Sequence, residues 1–404
     1  MSLERYRKRF PALQQKIGGR PIVYFDNAAM TLKPDIVLDA MREYYEEYTS
    51  VTGRSAHKWA VKTTEKVDWA RNELSKFVNA KREEIVFTKN TTESINLVSR
   101  ALDFKKGDIV VTSDREHNSN LVPWLFLRDK IGIQHKHVKS KKDETFDLEA
   151  LKAVLDKNVK LVSMVHTSNL DGYTLPVKEI IKIAHDNGSL VMLDGAQSIP
   201  HKEVNFKKLD ADFLAFSVHK MCGPTGMGVL VGKKRLLEGM DGFIVGGDTV
   251  QSTTYTDYKF LAAPEKFEAG LQNYAGIIGS GAAAKFVSKV GRDKIAKQET
   301  MLNKYVTEEF NKIDKVKILG PPDYRDRSGI VSFNVEGMDP HDVALVLDEM
   351  NNIFIRSGYH CVHSWFNSHG IKGSARASLY FYNTKEEAEL FVESVKKVVS
   401  YLGR

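Results

Sequence analysis

Between residues 84 and 233 the chain alternates two hydrophobic patterns. Short apolar runs at 84–88, 108–113, 161–166, 190–194, 212–217 and 228–231 are rich in β-branched and aromatic residues and predict strands. The intervening segments 92–102, 120–130, 148–155 and 177–187 repeat apolar residues at helical spacing. Strands alternating with helices predict an α/β domain with a mostly parallel sheet. Near-continuous apolar runs such as Leu161-Val162-Ser163-Met164-Val165 suit strands covered on both faces.

The last hundred residues carry a different pattern. Strands are predicted at 329–335, 353–357 and 374–382, with a helix at 342–350. A final helix starts at Thr384, where Glu387 completes a capping box ahead of Ala388, Phe391, Val392, Val395 and Val398. The expected division is a large domain at 22–285 and a smaller α+β domain formed by 1–21 plus 286–404. The run Gly279-Ser280-Gly281-Ala282-Ala283-Ala284 matches the dinucleotide pattern G-x-G-x-x-A. No strand precedes it and no βαβ unit follows, so it is read as a small-residue packing helix.

Composition narrows the class. The 404 residues are 42% hydrophobic and 27% charged, which fits a globular chain with a sizeable core. The net charge of +7 comes from 59 basic and 52 acidic residues interspersed along the chain, with no basic tail or stripe. A nucleic-acid partner is not expected. Cys222 and Cys361 are the only cysteines, so no disulfide framework exists and a reducing cytoplasm fits. The charged first ten residues do not read as a secretory signal, and no apolar stretch approaches the ~18 residues of a membrane span.

In open parallel sheets, ligands sit beyond the carboxyl ends of the strands. Five predicted strands end there in polar groups: Asn90, Thr91, Thr92 and Glu93; Glu116, His117 and Asn118; Ser168 and Asn169; Asp194 and Gln197; Ser217, His219 and Lys220. Asp194 follows four apolar residues, where a carboxylate needs a cation such as a protonated pyridine nitrogen, or caps the next helix. Lys220 lies between an apolar strand and a Gly/Pro turn, so it is either a desolvated nucleophilic amine or a plain loop lysine. Asn90-Thr91-Thr92-Glu93 opens a helix and offers phosphate its backbone donors and hydroxyls, or is an ordinary N-cap. His117 is equally a ring-stacking or acid–base group and an idle loop histidine.

These segments together resemble the class V aminotransferase family of fold-type I PLP (pyridoxal 5′-phosphate) enzymes. Within it they are most similar to the SUF-type (group II) cysteine desulfurases. The resemblance runs from Tyr24 to the final helix. It rests on YFDNAA at 24–29, TTESIN at 91–96, EHNSNLVPW at 116–124, TSNLDG at 167–172, DGAQS at 194–198, FSVHKMCGPTGMG at 216–228, FEAG at 267–270, RSGYHC at 356–361 and RASLYFYNT at 376–384. The Asp194 and Lys220 motifs, in that order, are its most specific part.

The resemblance implies an L-cysteine desulfurase acting as a homodimer and passing sulfur to an acceptor or iron–sulfur scaffold protein. It implies that Lys220 carries PLP as a Schiff base and shuttles the substrate's α-proton. Asp194 would pair with the pyridinium nitrogen, His117 would stack on the ring, and Asn169 and Gln197 would address its hydroxyl. Thr91, Thr92, Ser217 and His219 would hold the phosphate. Arg376, with Asn169, would bind the substrate carboxylate, and Cys361 would accept the sulfur. Polar and basic neighbours suit Cys361 to a thiolate role in a flexible loop. A metal reading of His360, Cys361 and His363 lacks a fourth ligand. Other class V reactions, among them selenocysteine lysis, kynureninase-like cleavage and transamination, form the alternative. So does a non-enzymatic binding protein. The sequence departs from the family pattern at Leu271, where a Thr usually reaches the partner's phosphate, and at Tyr359, where a second His is usual. Val362-His363-Ser364 replaces Ala-x-Pro, and Gly53 replaces a His, while Arg54 and His57 remain.

Overall fold

The structure is a computed structural model that describes residues 3–53 and 55–401; Arg54 lies outside the described residues. Its centre is a seven-stranded sheet. In chain order the strands are β1 (Ile85–Thr88), β2 (Ile109–Ser113), β3 (Gln134–Val138), β4 (Val159–Val165), β5 (Leu190–Asp194), β6 (Phe213–Ser217) and β7 (Gly228–Gly232). Their spatial order is β1-β7-β6-β5-β4-β2-β3. Only β7 runs against its neighbours, pairing antiparallel with both β1 and β6. All six strands expected from the pattern are present. The seventh, β3, was not expected, because its sequence Gln-His-Lys-His-Val is polar and lies at the sheet edge.

The apolar runs are explained by two covered faces. Val111, Val162, Val191, Leu193 and Leu214 pack on one side with the helix Tyr274–Val290. Val110, Leu161, Met192, Phe213 and Leu230 pack on the other with Ile95, Val98 and Trp124. Helix Tyr274–Val290 contains the small-residue run. A side chain at Gly281 would meet the Ala70 backbone at 2.6 Å, so that run lets two helices approach closely.

A second sheet follows, in the order β8 (Val316–Ile318), β9 (Ile330–Val335), β11 (Ser374–Ser378), β10 (Arg356–Gly358). Its core gathers Phe310, Phe333 and Phe391 with Val23 and Phe25 from the N-terminal segment. The single strand expected at 353–357 is two. Ile353–Phe354 pairs in parallel with Val23–Tyr24, while Arg356–Gly358 pairs antiparallel with Ser374–Arg376. The strand expected to reach residue 382 ends at Ser378. Tyr380, Phe381 and Tyr382 turn into the first core, where Asn383 Oδ1 accepts the Tyr380 N–H at 2.8 Å. The final helix has the expected box: Thr384 Oγ1 accepts the Glu387 N–H at 3.2 Å and Glu387 Oε2 accepts the Thr384 N–H at 3.1 Å.

One buried ion pair ties helix Lys58–Val78 to the Phe267–Gly270 segment. Arg71 Nη1 and Nη2 donate to the Glu268 carboxylate at 2.8 and 2.7 Å, and Glu268 also accepts the Phe87 N–H at 2.8 Å. Arg71→Met strands that carboxylate in the interior and is expected to cost about 3–5 kcal/mol. A denaturation midpoint equal to that of the wild type would contradict this.

Candidate active site

The carboxyl ends of β1, β2, β4, β5 and β6 converge on a cavity of about 220 Å³, closed on its far side by β10, the turn after it and β11. Every residue to which the resemblance assigns a role lines it: Thr91, Thr92, His117, Asn169, Asp194, Gln197, Ser217, His219, Lys220, Cys361 and Arg376; of the other strand-end groups, Asn90 lines it and Glu93, Glu116, Asn118 and Ser168 do not. Among the lining residues Lys220 is the one amine and Cys361 the one thiol.

Lys220 ends a short turn, Val218–Lys220, directly after β6. Burial brings its pKa down to about 8. Arg376 and Arg356 add to the drop, and Asp194 and Cys361 oppose it. The amine is therefore partly neutral near physiological pH and able to act as a nucleophile and proton carrier. Asp194 is the last residue of β5 and almost wholly buried. Burial raises its pKa, against the Ala196 N–H it accepts at 2.9 Å and the charge of Lys220. No arginine or lysine forms an ion pair with it among the described residues, so a cation placed in the cavity would meet a ready counter-charge.

Gln197 donates through Nε2 to the Ala28 carbonyl at 2.6 Å, and its Oε1 is buried without a partner. Also at the cavity, helix Thr91–Ala101 opens with Asn90 as its cap. Ser217 Oγ receives the Thr91 N–H at 2.9 Å and lies 2.6 Å from Thr91 Oγ1, while Thr92 Oγ1 lies 2.7 Å from Ser119 Oγ. Glu93 reaches back to the Lys89 N–H rather than to Asn90, so only half of the expected box forms. His117 accepts the Ser119 N–H through Nδ1 at 3.1 Å. Burial lowers its pKa to about 3, helped by Lys220, Arg376 and Arg356, so the ring is neutral.

This set fits pyridoxal phosphate. The cavity lining combines a helix start with hydroxyls from Thr91, Thr92 and Ser217, a buried carboxylate without an ion-pair partner, Gln197 and a neutral imidazole.

The Cys361 segment, expected as a loop, is built as a hydrogen-bonded turn between β10 and helix His363–His369. Cys361 O accepts the Asn118 N–H at 2.7 Å, and His360 O accepts from Asn169 Nδ2 at 2.6 Å. These bonds pin the turn to the large sheet next to His117. His360 and Cys361 both adopt left-handed backbone, at φ +47° and +60°. Such strain costs about 1 kcal/mol or more per residue and marks sites where side-chain direction matters. The His360 ring is buried with Nε2 2.9 Å from Ser374 Oγ, while His363 stacks on Tyr359 and lies 3.0 Å from Asn118 Nδ2. The two histidines named in the metal reading thus turn to separate partners. Cys222 is fully buried, and burial pushes its thiol up to about 12.

Arg376 sits on β11, fully buried. Nη1 donates to the Asn169 carbonyl at 2.9 Å, Nη2 reaches Asp26 at 3.4 Å, and Nε has no partner. Burial brings its pKa to about 10, with Arg356 adding to the drop. Sequence reasoning assigned no role to Asp26 or Arg356. Both lie in motifs it quoted, and Arg356 also lines the cavity. Leu271 is exposed on the surface.

The profile described as "Aminotransferase class-V" matches residues 23–391. The chain belongs to the class-V aminotransferase family. A relative from Synechocystis sp., described as a probable cysteine desulfurase, is 41% identical over 402 residues, covering 98% of this chain and 96% of that protein. The class-V fold is shared in full with two solved structures. The apo structure of the cysteine desulfurase from Thermococcus onnurineus superposes with a TM-score of 0.94 at 40% identity, covering 98% of each chain. An S-sulfonic acid form of a cysteine desulfurase from Escherichia coli gives 0.91 at 31% identity, covering 99% of each chain.

Proposed function

We propose that this class-V protein is a pyridoxal-phosphate-dependent L-cysteine desulfurase. The observation that carries the reading is one amine and one thiol, Lys220 and Cys361, facing a single small cavity with Arg376 beside them. The curated relatives and solved neighbours named as cysteine desulfurases support it.

When bound, pyridoxal phosphate supplies an aldehyde carbon that joins amines and an electron-withdrawing ring that takes up the electrons of a broken C–H bond. Lys220 would hold the cofactor and, as the one amine lining the cavity, would carry the proton at the substrate's Cα. Asp194 would pair with the ring nitrogen, Gln197 and Asn169 would address the ring hydroxyl, and His117 would stack on the ring. Thr91, Thr92, Ser217 and His219 would hold the phosphate. Arg376, which lines the cavity, would bind the substrate carboxylate. The Cys361 thiolate attacks the substrate sulfur, an S–S bond forms as the C–S bond breaks, and a proton replaces sulfur on carbon. L-Cysteine and the Cys361 thiol become alanine and a Cys361 persulfide, with no external oxidant.

The same reading divides the chain into a cofactor-binding body, 22–285, and a smaller one, 1–21 with 286–404, which carries Cys361 and Arg376. Two hydrophobic cores support two bodies, but the division is not clean: Leu3, Tyr6, Phe10 and Leu13 of the arm, with Tyr380, Phe381 and Tyr382, pack in the first core, and Val23 and Phe25 pack in the second. A homodimer is supported by exposed apolar side chains along 244–271, including Val245, Tyr255, Tyr258 and Leu271. A cytoplasmic setting, and delivery of sulfur to an acceptor or iron–sulfur scaffold protein, complete the proposal. No helix among the described residues is long and apolar enough to cross a membrane.

The test is turnover of L-cysteine with a thiol reductant. Equimolar alanine and sulfide are expected. Pyruvate, or transamination without sulfide, would move the protein to another class-V reaction.

A further inference from the structure

We propose that Thr31 is a positioning residue for Lys220: its hydroxyl spans the lysine turn and fixes where Nζ stands. The inference rests on reading Lys220 as the cofactor's lysine.

The turn Val218–Lys220 is short and closes on itself through the Met221 and Gly223 N–H groups, which both donate to the Val218 carbonyl at 3.0 and 3.1 Å. The residues on either side of Lys220 are held from elsewhere. The His219 carbonyl accepts the Thr31 N–H at 3.1 Å, the Thr31 hydroxyl at 3.1 Å and Lys33 Nζ at 3.2 Å. Beyond Lys220, the Cys222 N–H donates to the same Thr31 hydroxyl at 2.7 Å. Cys222 is held in left-handed backbone at φ +64°. One hydroxyl therefore uses its proton on His219 and a lone pair on Cys222, with Lys220 between them.

Thr31 is fully buried and comes from a segment 188 residues away from His219 in the chain. Ala28 and Ala29 of that segment line the cavity. Lys33, largely buried and with its pKa brought down to about 8, completes the clasp. Nζ of Lys220 balances Asp194 and Cys361 against Arg376 and Arg356. A shift of the turn changes all four distances at once. It changes the proton affinity of Nζ and its line of approach to the substrate's Cα.

Thr31→Val keeps the shape and removes the hydroxyl, while Thr31→Ser keeps the hydroxyl and removes the methyl. The readouts are the pH titration of the bound cofactor's visible absorbance and the separate kcat and KM for L-cysteine. In Thr31→Val the titration midpoint moves by about half a unit or more, and kcat falls ~10-fold or more with KM within about twofold. Thr31→Ser returns both to wild-type values. Thr31→Ala is a second route to the same loss should the valine variant not accumulate. A wild-type midpoint and kcat in the hydroxyl-free variant, or a serine variant as impaired as the valine one, would overturn the proposal. Borohydride fixation and peptide mapping separate the two layers. A label on Lys220 leaves the Thr31 result to stand by itself. A label on another lysine overturns the reading of the site, and this inference with it.

Discussion

Replacing Cys361 with alanine removes release of both alanine and sulfide from L-cysteine, by at least ~10³-fold, while the cofactor stays bound. The expectation follows from the cavity lining. Cys361 is its one thiol, and Cys222, fully buried with its thiol pushed up to about 12, offers no substitute nucleophile. Cofactor binding is expected to survive because none of the groups that would hold the ring or phosphate lies on the Cys361 turn. The backbone bonds that pin that turn, Asn118 N–H to Cys361 O and Asn169 Nδ2 to His360 O, do not involve the thiol. The measurement is initial rate together with the visible cofactor band. Unchanged alanine release in the variant would place sulfur loss elsewhere and favour a class-V reaction that needs no cysteine.

Lys220→Ala has an effect of the same order on different observables. Removing the base alone costs about 10²–10⁴-fold, and loss of the covalent anchor adds to it. Borohydride then fixes no cofactor to the protein, since no other amine lines the cavity. Phosphate and ring contacts remain, so the variant is expected to retain cofactor non-covalently and to release it on gel filtration in denaturant. Covalent fixation persisting in Lys220→Ala would assign the anchor to another lysine.

The strand-end residues were legible because two local signals coincide at each: an apolar run that must be covered, and a polar group where it stops. Asp194 and Lys220 are the clearest cases, each ambiguous alone and informative as a pair. What stayed hidden came from packing between distant segments. Thr31 meets His219 only after the N-terminal segment has folded across β6. Asp26 reaches Arg376 only because Phe25 accepts the Ser378 N–H in the second sheet. The split of 353–358 at Ile355 follows from two partners, Val23–Tyr24 and β11, that no local pattern names. The polar edge strand β3 carries little periodicity to detect. The Cys361 segment reads as flexible from its Gly and polar content. Its hydrogen bonds come from Asn118 and Asn169, which follow β2 and β4.

The most direct test of the central claim is the intact mass of the cofactor-loaded protein after exposure to L-cysteine without reductant, followed by peptide mapping. The account predicts a gain of one sulfur atom, reversed by a thiol reductant and located on Cys361. Alanine formed with no sulfur retained on the protein, or sulfur located on Cys222, would contradict it.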